Sequence, residues 1–146
     1  MNLLLKIHHF LMPKGEDIGY SVYSNLLFLS LFFGNLYFSP VHGIELAIVV
    51  AGLFTFLVLY FRALSVQENK LPWYIAAIVL VGVGLSEITF GANVFFVYAA
   101  VFSGEFYHKR KAFLSLLLVL AFTALYAVIA DKSSYFWIPA IFMSIT

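Results

Sequence analysis

Ionisable side chains inside apolar stretches are the groups in this sequence that could do chemistry. Glu87 follows a run of apolar residues and glycines, and Asn93 comes shortly after it, across a reversal at Gly91. Placing an ionised carboxylate in lipid costs roughly 3 kcal/mol unless it has a partner or reaches water. We therefore expect Glu87 to lie at the outer membrane interface with Asn93 as a hydrogen-bond partner. A hydrated hairpin carboxylate is favoured over a proton or ion site.

A second cluster of polar residues lies between positions 105 and 111. Glu105 and Lys109 are four positions apart, the spacing at which a carboxylate and an ammonium pair on one helix face. With His108, Arg110 and Lys111 they predict a compact basic group at the cytoplasmic surface. We favour an anchor that binds anionic lipid headgroups, with a regulatory contact to a cytoplasmic domain as the alternative.

The sequence lacks the residue motifs of most catalytic and cofactor-binding sites. Cysteine is absent, and the four histidines are scattered without the spacing that places two ligands on one helix face. No nucleophilic triad, phosphate-binding glycine loop or carboxylate pair is present. The sequence therefore predicts no catalytic, cofactor-binding or metal-binding residue, and the net charge of +1 argues against a nucleic-acid partner.

The elements that carry these groups must be membrane helices. The 146 residues are 64% hydrophobic and only 10% charged, with a mean hydropathy of +1.02, whereas a soluble domain has about 25% charged residues. The predicted fold class is an all-α, polytopic transmembrane helix bundle, preceded by an interfacial segment at 1–17. The predicted spans are 18–38, 44–61, 72–88, 91–107, 112–130 and 134–146.

Two of these spans need comment. The third and fourth are separated by only a short reversal, so they predict either one hairpin or a tilted helix with a re-entrant piece. The last is only 13 residues, about 20 Å of helix against the roughly 30 Å of a hydrocarbon core. We expect it to be truncated and the chain to be the amino-terminal part of a longer protein.

Small residues four apart predict close packing between helices. The pairs are Ser30 with Gly34, Ala47 with Ala51, Ala99 with Ser103, and Ala100 with Gly104.

The distribution of Lys and Arg predicts the orientation. If the first span starts inside, seven of the eight Lys and Arg side chains fall on the cytoplasmic side and only Lys132 falls outside. This favours six crossings with both ends cytoplasmic, the last of them incomplete.

Several features of the sequence, taken together, resemble a known protein family. The segment from Lys14 to Tyr20, the aromatic-rich spans, the basic group at 108–111 and the Trp-Ile-Pro sequence ending at Pro139 resemble the membrane-sensor region of DesK-like bacterial sensor histidine kinases. The similarity runs over most of the chain as a hydropathy pattern with a few polar marks. It implies a sensor of bilayer thickness or temperature, in which Lys14, with Glu16 or Asp17, and Pro139 act as a pair.

The resemblance also implies partners and a catalytic part beyond this chain. The last helix would continue into a coiled coil that forms a homodimer, followed by a kinase core with a phospho-accepting histidine, ATP and Mg²⁺, which acts on a response regulator. The topology departs from that of the family. In the family, the Lys-bearing segment and the proline both lie on the outer face and the number of spans is odd. The charges here instead favour a cytoplasmic N-terminus. Five and six spans both stay open.

The leading hypothesis is therefore the transmembrane sensor module of a two-component histidine kinase, embedded in the lipid bilayer. A transporter or channel subunit, in which Glu87 and Asn93 line a path, is the alternative from another class. A membrane scaffold without chemistry is the third.

Overall fold

The computed structural model describes residues 25–131, and these fold as helices without a strand. A 3₁₀ turn at Leu26–Phe28 leads into α1 (Leu29–Phe38), and α2 (Ile44–Ser65) and α3 (Leu71–Ser86) follow. A second 3₁₀ turn at Phe90–Ala92 precedes α4 (Asn93–Ser103) and α5 (Lys109–Ile129). The all-α fold class is confirmed. The interfacial segment at 1–17, Lys14, Glu16, Asp17, Pro139 and the last predicted span lie outside the described residues.

The helix breaks come where local chemistry requires them. Gly43 has a φ of +61°, a conformation that a side chain with a Cβ disfavours, and α2 begins directly after it. Pro72 lies in the first turn of α3, where its missing N–H is tolerated. Between α3 and α4, the hydroxyl of Thr89 accepts a hydrogen bond from the N–H of Gly91 at 3.3 Å. The third and fourth predicted spans are thus a hairpin, one of the two alternatives for that region.

Two helices end four residues away from the predicted boundary. The helix α2 continues past Phe61 to Ser65, because the intervening Arg62, Ala63 and Leu64 are good helix formers. The helix α4 ends at Ser103 instead of running to residue 107, and the residue that follows is Gly104, a poor helix former. The helix predicted for 91–107 is therefore only 11 residues long.

Packing places α4 at the centre of the bundle. It packs against α3 and α5, α3 also packs against α2, and α1 contacts the Phe90–Ala92 turn and α4. Every residue of α4 from Val94 to Ala100 is buried. The core around it is aromatic, with the Phe56 ring centroid 4.8 Å from those of Phe95 and Tyr98, and the Tyr60 ring 5.6 Å from that of Tyr98.

Some of the predicted pairs of small residues lie at contacts between helices, but others do not. Ala99 and Ser103 are fully buried, and Ser103 Oγ lies 2.9 Å from Ser115 Oγ of α5. By contrast, Ala47 and Ala51 are exposed, and a Cβ at Gly34 would meet no atom within 4 Å. The spacing does not identify the two tightest glycines within helices.

Those two glycines lie at the interfaces of α3. A Cβ at Gly82 would lie 3.2 Å from Phe95 Cβ in α4, and one at Gly52 of α2 would lie 2.8 Å from Leu85 Cδ1. At Gly82 the close atom is a Cβ, so the glycine lets α3 and α4 approach more closely than an alanine would, whereas at Gly52 the flexible end of Leu85 could move aside.

Two of the described helices, α2 and α5, are long and apolar enough to cross a membrane. They have 22 and 21 residues, and each contains an 18-residue window whose mean hydropathy is 2.4 in α2 and 2.5 in α5. The other helical stretches, Leu26–Phe38, Leu71–Ser86 and Phe90–Ser103, are apolar but shorter. The length criterion is thus met by two helices rather than by five or six.

Candidate functional site

The outer surface of the bundle is dominated by exposed apolar side chains. On α2 the exposed large residues include Val50 and Phe54, and on α5 they include Leu118 and Leu125. Soluble monomers rarely expose contiguous apolar patches of more than a few hundred Å². A surface of this kind marks contact with a membrane or with other proteins.

Charge is confined to the two ends of the helices. Within residues 25–131, all the Lys and Arg side chains lie at one end, which we call the basic end: Arg62, Lys70, Lys109, Arg110 and Lys111. At the opposite end, the acidic end, lie Glu45, Glu87 and Asp131. Between these ends, α2 to α5 carry no ionised side chain. An apolar belt between two charged rims is the distribution that a bilayer favours.

Exposed aromatic side chains lie near both rims. Trp73 and Tyr107 are 78% and 87% exposed near the basic end, while Tyr37 and Phe38 are exposed near the acidic end. Aromatic residues at these levels are typical of the two membrane interfaces.

At the basic end, the ion pair differs from the one expected. Glu105 lies in the linker after α4 and Lys109 begins α5, so the two do not share a helix face and the spacing argument fails. Instead, Lys111 Nζ lies 3.5 Å from Glu68 Oε1, which belongs to the linker between α2 and α3. That oxygen is buried and accepts no hydrogen bond from residues 25–131. His108 and Arg110 are exposed at the same end of the bundle.

Sequence reasoning did not identify Glu68, because its partner is 43 positions away. The only available signal was topological. The α2–α3 and α4–α5 linkers must lie at the same end of an antiparallel bundle, which brings a carboxylate of the first linker near the cations of the second.

At the acidic end, Glu87 is the C-cap residue of α3 and is exposed. One of its hydrogen-bond partners is Tyr126 of α5, whose hydroxyl donates to Glu87 Oε1 at 2.7 Å. The Tyr126 hydroxyl also lies 2.5 Å from Ser86 Oγ. Asn93, the expected partner, is the first residue of α4. The missed residues Ser86 and Tyr126 therefore join α3 to α5.

The helix α1 is fastened to the α3–α4 hairpin by polar contacts. The Thr89 hydroxyl donates to Asn35 Oδ1 at 3.1 Å near the acidic end. The Tyr98 hydroxyl donates to the carbonyl oxygen of Asn25 at 2.7 Å at the start of the described chain. Gly91 permits the close approach, since a Cβ there would lie 3.0 Å from Asn35 Cβ. A displacement of α1 must therefore act on the hairpin that fills the core.

Residues 25–131 contain no group of three His, Asp or Glu side chains arranged to hold a metal ion. Comparison of the chain with protein-family models, with curated proteins and with solved structures gives no match. The likeness to DesK-like sensors therefore depends on the residues of this sequence alone.

Proposed function

We propose that this protein is the transmembrane sensor module of a bacterial two-component histidine kinase and that it responds to bilayer thickness, and hence to lipid order and temperature. The observation that carries the proposal is the unequal length of helices packed in one bundle. The helices α2 and α5 have 22 and 21 residues, about 33 and 32 Å. The helices α3 and α4 have 16 and 11 residues, about 24 and 17 Å.

A hydrocarbon core of about 30 Å matches the first pair and exceeds the second. Thickening the bilayer relieves tilt in α2 and α5 and increases the mismatch around α3. Each Å of mismatch costs a fraction of a kcal/mol. A change of several Å therefore supplies about 1–2 kcal/mol, which is enough to shift a two-state equilibrium.

Our proposal includes a multi-pass orientation in the inner membrane with the basic end in the cytoplasm. The confinement of Lys and Arg to that end supports it, because cytoplasmic loops are enriched in these residues. Counting spans beyond the described helices, we retain five or six.

Thiol labelling tests the orientation directly, because the chain has no cysteine and an introduced thiol is unique. We expect His42→Cys, near the acidic end, to react with a membrane-impermeant maleimide in intact cells. We expect His108→Cys, at the basic end, to react only after lysis. Labelling of His108→Cys in intact cells would show the opposite orientation, and equal labelling of both in a soluble fraction would exclude a membrane protein.

The signalling part of the proposal depends on the resemblance, which predicts a homodimeric coiled coil and an ATP- and Mg²⁺-dependent kinase core, acting on a response regulator. Reading the coding sequence beyond Thr146 tests it. Coiled-coil heptad repeats followed by a motif with the phospho-accepting histidine would support it, whereas a stop codon or further apolar spans would rule it out. In a full-length kinase, Lys14→Ala with Asp17→Ala should flatten the temperature dependence of autophosphorylation.

A further inference from the structure

A groove separates α3 from α5 over the half of the bundle nearest the basic end. The two helices meet near the acidic end through Tyr126 and Ser86, and α4 packs against both of them. Towards the basic end they leave a cavity of about 620 Å³. Its walls are two straight rows of side chains four residues apart: Pro72, Ala76 and Leu80 on α3, and Leu114, Leu118 and Phe122 on α5.

The groove has the length of one membrane leaflet. It runs along α5 from Lys111 to Phe122, about 17 Å at 1.5 Å per residue. Half of a hydrocarbon core is about 15 Å. The groove thus begins at the basic rim and ends near the bilayer midplane, where an acyl chain of that leaflet also ends.

The charged group at the mouth of the groove is a cation. Lys111 lines the cavity, and its side chain is 56% exposed. Its pair with Glu68, at 3.5 Å, is longer than the roughly 2.8 Å of a charge-assisted hydrogen bond. An ammonium has three donors, so this weak pair leaves Lys111 able to bind a second anion. Lys109 and Arg110 precede it on the first turn of α5, but neither lines the cavity.

We propose that this groove binds one anionic phospholipid of the cytoplasmic leaflet. An acyl chain lies between the α3 and α5 rows, and the headgroup phosphate pairs with Lys111. The apolar walls, the leaflet-length depth and the cation at the mouth each match one part of such a lipid, and a basic pocket between helices on the cytoplasmic side is a known means of headgroup binding. The proposal depends on membrane residence, as proposed above, but not on a sensory role.

Native mass spectrometry of the full chain tests this inference. The protein is released from nanodiscs that contain equal amounts of phosphatidylglycerol and phosphatidylethanolamine, and the retained lipid is identified. We expect one phosphatidylglycerol per chain. Lys111→Gln should lower its retention about fivefold relative to phosphatidylethanolamine. Lys109→Gln, the same change two residues away, should leave it near the wild-type value.

A second pair of variants tests the walls. Ala76→Phe fills the groove and should abolish retention, whereas Ala121→Phe, on an exposed position of α5 outside the groove, should not. These four positions are exposed, so the variants should fold, and circular dichroism verifies it.

Each of the following results would overturn the proposal: equal retention of the two lipids, equal effects of Lys111→Gln and Lys109→Gln, or a dimer that Ala76→Phe dissociates. The last result would make the groove an interface between two copies. A photoreactive residue at position 76 that captures only another segment of the same chain would also overturn it. The orientation measured by thiol labelling is independent of all these outcomes.

Discussion

The hydroxyl of Tyr126 donates a hydrogen bond to Glu87 Oε1 at 2.7 Å and thereby joins the end of α5 to the end of α3. The same hydroxyl lies 2.5 Å from Ser86 Oγ, so one side chain connects two consecutive polar residues across the bundle. Because α4 packs against both helices, the Tyr126 contact adds a direct link between α3 and α5 at the acidic end.

Removing that hydroxyl should loosen the acidic end. We expect Tyr126→Phe to lower the free energy of unfolding by about 1 kcal/mol, since hydrogen bonds between membrane helices are worth about 0.6 to 1.7 kcal/mol. Unfolding in mixed detergent micelles measures this. Tyr107→Phe is the matched control, because Tyr107 is 87% exposed. If both variants unfold alike, the Tyr126 contact contributes nothing to stability.

Glycine at position 82 should be indispensable for packing of α3 against α4. In Gly82→Leu the new side chain meets Phe95 and Phe96, since even a Cβ would lie 3.2 Å from Phe95 Cβ. We expect a loss of about 1–3 kcal/mol or more. Gly84→Leu makes the same change two residues along α3, where a Cβ would meet nothing within 4 Å, and should unfold like the wild type. An equal loss in both variants would indicate an effect of leucine on the helix rather than on packing.

Breaking the contact between Thr89 and Asn35 should release α1 from the hairpin. Thr89→Val removes the hydroxyl that donates to Asn35 Oδ1 and accepts from the Gly91 N–H. We expect hydrogen exchange to quicken in α1 and in the Phe90–Ala92 turn. The control is Thr55→Val, because the Thr55 hydroxyl bonds only within its own helix, to the carbonyl of Ala51. Unchanged protection in α1 would contradict a mechanical link between these elements.

Bilayer thickness should change the separation of α2 and α5. Spin labels at Val50→Cys and Leu125→Cys occupy exposed positions of the two long helices. In vesicles of increasing acyl-chain length we expect their distance distribution to shift, because longer helices lose tilt as the bilayer thickens. A pair within α2, Leu46→Cys with Phe54→Cys, should stay constant. A constant distance between α2 and α5 in every lipid would contradict a thickness sensor.

Local residue types predict the helix breaks, whereas they do not predict which helix is buried. Gly43 and Pro72 mark boundaries because their backbones restrict the structures they can adopt. Hydropathy fails to separate Phe95 and Phe96, which are fully buried, from Phe113, which is 64% exposed. In an apolar bundle, lipid-facing and core positions are both apolar, so burial depends on which helices meet.

The polar contacts of the candidate site were predicted even less well. Glu87 was recognised as a helix-end carboxylate, but its partner Tyr126 lies in a stretch that reads as uniformly apolar. Likewise Lys111 was assigned to the basic group, but its pairing with Glu68 required the relative position of two linkers. Contacts between residues distant in sequence depend on packing, which spacing within one helix does not encode.

The separation of charge between the two ends gives residues 25–131 an electrical polarity. Five cations and two carboxylates leave a formal +3 at the basic end, and three carboxylates leave −3 at the other. In the proposed orientation the membrane potential, which is negative inside, attracts the cations to the cytoplasmic side and the carboxylates to the outer side. It therefore favours the position of both sets of charges. At about 2.3 kcal/mol per charge per 100 mV, inverting the bundle would require work of the order of 14 kcal/mol against such a potential. An energised membrane thus acts as a restoring field on this part of the chain.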